Sequence, residues 1–197
     1  MKDLRQRKNI RLQEYDYSQP GHYFITICTK ERIFLFGDIA NYTMFFREYG
    51  KIAAVELINI SSHYDNVKID KFVIMPNHVH MIINLSEFTG VKNVGAPLAA
   101  PDDTDIDNKI NNNVKNTTTE AGRASAPPTI GNIVRGYKSG VSRNIGFNIW
   151  QRNYHDHIIR NEKSYKEIYK YIENNPIQWE LDCHNPENPK YHDWRDE

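Results

Sequence analysis

The run "VKIDKFVIMPNHVHMIINL", residues 67–85, constrains this chain more than any other stretch. Two apolar segments flank Pro76-Asn77, and a link that short joins antiparallel strands, because a parallel crossover needs a dozen residues or more. The first segment, 67–75, places Val67, Ile69 and Lys71 on one face and Phe72 and Ile74 on the other. The second, 78–85, places His78 and His80 on one face with Val79 opposite. A hairpin this apolar belongs at the centre of a sheet. Two imidazoles on one face of it need partners or a ligand.

The remaining elements follow from pattern. Residues 22–29, "HYFITICT", read as a strand after a Pro20-Gly21 turn. Residues 42–64 carry Phe45, Tyr49, Ile52, Ala53 and Leu57 at helical spacing. Residues 130–145 read as a basic helix, 147–159 as β-like, and 161–175 as a helix with Asn161 as its cap and Pro176 as its stop. The order β-α-β-β-α-β-α is that of a ferredoxin-like arrangement: an α+β fold with an antiparallel sheet and helices on one face. From Thr89 to Thr129 the chain has no Phe, Trp or Tyr and is built from Asn, Thr, Asp, Ala, Pro and Gly. Such a segment buries too little apolar surface to offset its ordering entropy, and both flanks look like halves of one core. Residues 1–197 therefore read as a single domain with a mobile insertion at 89–129.

Twenty-five basic residues balance twenty-five acidic ones, but unevenly along the chain. Residues 1–14 hold five basic side chains against two acidic, and residues 130–170 hold eight against three. Arg7, Lys8, Arg11, Arg135, Lys138 and Arg143 are candidate phosphate contacts. Tyr15, Tyr17 and Tyr137 are candidates for stacking on unpaired bases. The two cysteines, Cys28 and Cys183, make neither a CxxC pair nor a secreted framework, and no apolar run reaches the length of a membrane span. A cytoplasmic protein with no membrane partner is expected.

A His-x-His pair can offer two nitrogens to one metal ion. A second pair, His155 and His157, makes a four-histidine site conceivable. In the last helix Tyr165, Ile168, Tyr169 and Ile172 form a core stripe. Tyr171 lies roughly 110° from its centre and shares a face with Asn175. The bland reading of that face is an exposed tyrosine beside a capping amide.

Taken together, "RKNIRLQEYDYSQPGHYFITICT", "FVIMPNHVHMIINL", "GNIVRGYKSGVSR", "IWQRNYHDHIIRNEKSY" and "YKYIENNP" resemble the IS200-like family of single-tyrosine HUH transposases, and within it the REP-associated tyrosine transposases. The resemblance covers about four-fifths of the chain, all but the insertion and the last residues. It implies that His78 and His80 are metal ligands, Asn175 the third ligand, and Tyr171 the nucleophile. Tyr154, also in a family-like motif, is a rival nucleophile. It further implies a divalent ion, Mg²⁺ or Mn²⁺, and single-stranded or hairpin DNA as substrate, cleaved and rejoined through a 5′-phosphotyrosine. A homodimer and a monomer are both consistent with it. Two other readings stay open: a metal-dependent hydrolase using His78, His80, His155 and His157, and a DNA-binding module whose catalytic site has decayed.

Overall fold

The computed structural model describes residues 15–88, 127–182, 184, 185 and 188. Along the chain run β1 (Gly21–Cys28), a hairpin of β2 (Gly37–Ala40) and β3 (Thr43–Phe46), α1 (Glu48–Ile58), α2 (Ile60–His63), β4 (Val67–Met75), β5 (His78–Leu85), α3 (Ile130–Ile145), β6 (His155–Ile159) and α4 (Glu162–Asn174). Four strands form one antiparallel sheet in the order β4–β5–β1–β6. Leaving out the small hairpin and the one-turn α2, the chain follows the β-α-β-β-α-β-α order read from the sequence.

Side-chain alternation splits the sheet into two unlike faces. Tyr23, Ile25 and Ile27 of β1 join Val79, Met81 and Ile83 of β5 in the main core, which Ala53 and Leu57 of α1 and Ile133, Val134 and Val141 of α3 close. The other face receives α4, whose Ile172, with Tyr165, Ile168 and Tyr169, packs on Phe24, Val73, Ile82 and Ile159. So α1 and α3 share one face as expected, while α4 lies on the opposite one. Its apolar stripe is the one anticipated. What the pattern did not reveal is that the histidine-bearing face had enough apolar surface to hold it.

Three local readings are corrected. In β4 the pairing register shifts between Ile69 and Lys71. The extra residue brings Val67 and Ile69 onto the same core face as Phe72 and Ile74 and sends Lys71 to the other. Lys71 there pairs with Glu173 of α4 at 3.0 Å and sits over the Tyr169 ring. Asp70, in the bulge, accepts the Tyr165 hydroxyl at 3.2 Å and lies 3.4 Å from His22. Strand and helix are thus fastened at both ends of the contact.

The helix over 42–64 is also shorter than its spacing suggested. Residues 43–46 are a strand, paired so that Asn41 and Tyr42 alone make the turn. Both have positive φ, 48° and 60°, which is the twist a two-residue hairpin turn needs. Phe45 is consequently 58% exposed and does not join the core. Finally, β6 begins only at His155. The preceding loop buries Ile149 and Trp150, and Trp150 makes an isolated bridge to Thr29.

The N-cap read for α4 is observed. The Asn161 side chain accepts the Ser164 N–H at 2.9 Å, an arrangement typically worth about 1 kcal/mol. Among the described residues no helix is long and apolar enough to cross a membrane. Cys28 is buried, and Cys183 lies outside the described residues.

Candidate active site

His78 and His80 lie side by side on β5, their ring centroids 4.5 Å apart and both side chains buried. Each is fixed by a bond to its Nδ1. The Asn77 side-chain oxygen sits 2.8 Å from His78 Nδ1. The same amide donates from Nδ2 to the carbonyls of Arg32, at 3.1 Å, and His184, at 2.8 Å. Two carbonyls on the nitrogen settle which end of the amide is oxygen. An oxygen acceptor at Nδ1 in turn places the proton there, leaving a lone pair on His78 Nε2. That Nε2 is buried and has no hydrogen-bond partner. On His80, Thr26 Oγ1 lies 2.8 Å from Nδ1, and the Tyr171 hydroxyl lies 3.2 Å from Nε2.

Burial pushes the pKa of both imidazoles well below the ordinary histidine range. For His78 the neighbouring His80, His184 and Arg32 add to the effect, and for His80, His184 and Arg32 do so. Both rings are therefore neutral at physiological pH, the form that binds metal.

Helix α4 delivers the other two residues. Tyr171 stands off the apolar stripe, 37% exposed, with its ring edge-on to Phe24 and to His80. Asn175, the residue after the last turn, is 1% exposed, and its side-chain oxygen has no hydrogen-bond partner. A buried acceptor left without a donor costs of order 1–3 kcal/mol unless something else supplies positive charge. His78 Nε2 and Asn175 Oδ1 are both lone-pair atoms left open in this way, and open lone pairs are what a cation takes up.

A third imidazole joins the pair. Ligand atoms of His78, His80 and His184 all lie within 4.8 Å of one another. His184 follows a short turn of 3₁₀ helix, Trp179–Leu181, whose Trp179 ring stacks on His78 with centroids 6.1 Å apart. Asp182, with Oδ2 4.0 Å from His78 Nε2, accepts the His184 backbone N–H at 2.7 Å. Nothing in the sequence pattern singled out His184: the segment after Pro176 has no periodicity and no motif spacing. Thr26 and Asn77 were also missed, though Asn77 was visible as a turn residue.

Other candidates fall elsewhere. His155 and His157 stay on the exposed edge strand and do not join the histidine cluster, so the four-histidine site does not form. Tyr154 packs against the main core, on the face of the sheet away from His80. Tyr137 is buried with its hydroxyl on the Ala53 carbonyl at 3.2 Å, which rules out stacking on a base. Tyr15 and Tyr17 pack edge-on to each other beside Tyr23, and the Tyr17 hydroxyl donates to Asp156 at 2.6 Å. Arg135 and Arg143 are exposed on α3. Lys138 directs its ammonium to the carbonyls of Gln151, Arg152 and Asn153 and so holds the loop before β6. Arg7, Lys8 and Arg11 lie outside the described residues.

This fold has a counterpart among solved structures. A REP-associated tyrosine transposase, solved bound to a REP hairpin, superposes with a TM-score of 0.53 at 21% identity, over 85% of this chain and 74% of that one. The architecture is thus the one that the motifs resembled. No family model matches the sequence. An uncharacterized protein of Haemophilus influenzae is 40% identical over 184 residues, spanning 91% of this chain and 93% of its own length. The chain belongs to one family with that protein.

Proposed function

We propose that this chain is a DNA transesterase of the transposase type, which cleaves and rejoins hairpin-associated single-stranded DNA through a phosphotyrosine at Tyr171. The observation that supports it best is the 3.2 Å contact between the Tyr171 hydroxyl and His80 Nε2. It puts a half-exposed phenol against a buried, metal-capable histidine pair. The substrate class is taken from the fold relative, which was solved with a REP hairpin.

His78 and His80, with Asn175 or His184, would hold a divalent ion, which when bound polarises the scissile phosphate and stabilises charge building on it. With three imidazoles in reach the donor set suits Mn²⁺ better than Mg²⁺. Tyr171 Oη attacks the phosphorus, a P–O bond to tyrosine forms, and the bond to the 3′ oxygen breaks. The phenol gives up its proton and the departing 3′ oxygen takes one up, leaving a 5′-phosphotyrosine and a free 3′-OH. One phosphodiester is exchanged for another, so rejoining needs no external energy source. A free phenol has a pKa of about 10, so Tyr171 needs help to ionise near neutrality. Phe24 and His80 fix its ring for in-line attack, and Arg135 and Arg143 are available to track phosphates further along the strand.

The test is a denaturing gel of protein incubated with labelled single-stranded hairpin DNA, with Mn²⁺, with Mg²⁺ and with EDTA. A metal-dependent protein–DNA band is expected from wild type and none from Tyr171→Phe. A band that survives in Tyr171→Phe would move the nucleophile, and cleavage without any covalent band would indicate a hydrolase.

A further inference from the structure

Arg32 is the charged residue that the mechanism above leaves unused. It sits just past the end of β1 and is only 6% exposed. Its Nε and Nη1 are buried and make no hydrogen bond. None of the ion pairs formed among the described residues involves it. A guanidinium in this condition is costly, because desolvation is incurred with no compensating acceptor. The backbone adds to the cost. Glu31 and Arg32 both have positive φ, 53° and 57°, consecutive left-handed residues without a glycine between them.

What holds the arginine there is the machinery of the site. Its carbonyl accepts the Asn77 amide, the same side chain that orients His78. Its charge reaches His78, His80 and His155 and helps to hold the pKa of each imidazole down. Those three residues lie on the sheet face that also holds Phe24 and Thr26. Thr26 is paired with His80 on one side and His155 on the other. Arg32 is therefore a buried cation whose backbone is tied, through Asn77, to the histidine end of a face where Tyr171 supplies a phenol.

We propose that Arg32 is the receptor for the scissile phosphate, its buried and unpartnered guanidinium nitrogens donating to a non-bridging oxygen of the phosphodiester that Tyr171 attacks. This rests on the reading of Tyr171 as nucleophile and adds a residue to it. The phosphate diester is the chemistry that fits: it is anionic, presents acceptor oxygens to a planar donor, and gains charge on those oxygens as the tyrosine adds. Arg32 would thus bind the ground state and favour the transition state more.

Arg32→Met and Arg32→Lys are compared with wild type in two measurements. In the first, thermal unfolding is followed without DNA or added metal, against inorganic phosphate with chloride-matched controls. Phosphate is expected to raise the wild-type midpoint more than that of Arg32→Met. Arg32→Met without phosphate should melt at or above wild type, since it loses a buried unpaired charge. In the second, phosphotyrosine formation is timed on hairpin DNA with either a normal scissile phosphate or a methylphosphonate there. Arg32→Met is expected to be slower than wild type by roughly a hundredfold on normal DNA. The methylphosphonate should slow wild type by far more than it slows Arg32→Met. Arg32→Lys, which keeps the charge without the planar fork, should fall between.

Equal slowing of both proteins by the methylphosphonate would overturn the proposal. So would an Arg32→Met protein that melts well below wild type and shows the same phosphate shift, because Arg32 would then be a structural residue. If wild type forms no adduct on any hairpin, the Tyr171 reading fails and the phosphate arm alone decides whether Arg32 is an anion receptor.

Discussion

Single atoms decide how well this site works, and Asn77 illustrates it. One amide fixes the tautomer of His78, ties down the carbonyl of Arg32 and anchors the carbonyl of His184. Outer partners of this kind typically govern about 10–100-fold in metal affinity. Asn77→Ala is expected to weaken Mn²⁺ binding by that order, measured by calorimetry on protein without DNA, while a hairpin fold with His78 in place persists. The same measurement separates the two candidates for the third ligand. Asn175→Ala should weaken the ion strongly if the orphaned Asn175 oxygen is a ligand, and His184→Ala should do so if the third imidazole is.

At the scale of elements, α1 and α3 are linked by the Tyr137 hydroxyl, a donor to the Ala53 carbonyl. Burial, with Glu56 nearby, raises the Tyr137 pKa far above its ordinary value. The group is protonated in the fold at a pH where the unfolded chain has already ionised it, so its stabilisation is complete below pH about 10 and is lost as pH rises beyond that. Alkaline unfolding should start near there, and Tyr137→Phe should flatten the pH dependence of the melting temperature above pH 10. Elements with long periodic patterns were the ones legible in the sequence: α3, α4 with its cap, and the β4–β5 hairpin. The β2–β3 hairpin was not, because "NYTMFF" feeds apolar residues into the spacing of the helix that follows it. The bulge in β4 was not legible either, since an inserted residue leaves composition unchanged and only flips parity. Of the candidate site, periodicity put His78 and His80 on one strand face and Tyr171 and Asn175 on one helix face, while the roles assigned to them came from the family resemblance. His184, which joins the histidine cluster, and the buried Arg32 both sit on irregular backbone, which no period describes.

For the molecule as a whole, the contact between Tyr171 and His80 forms within one chain. One copy thus brings the proposed nucleophile and a candidate ligand into contact. Mixing Tyr171→Phe with His80→Ala is expected to restore no phosphotyrosine product, and the wild-type rate per molecule should not change with protein concentration at saturating DNA. Restored product in the mixture would mean that the helix is exchanged between copies. The placement of Tyr171 also depends on a contact at the far side of its helix. Lys71, next to the extra residue at the β4 bulge, grips α4. Asp70 is the spare residue of that strand: Ile69 and Lys71 already face the consecutive Ile83 and Ile82, so losing its codon would leave every side chain of the strand on its present face. Such an allele would give up only the carboxylate that meets Tyr165 and His22. A codon gained elsewhere in the strand would instead turn over everything on one side of it, so this strand forgives a deletion at one address and punishes an insertion at most others.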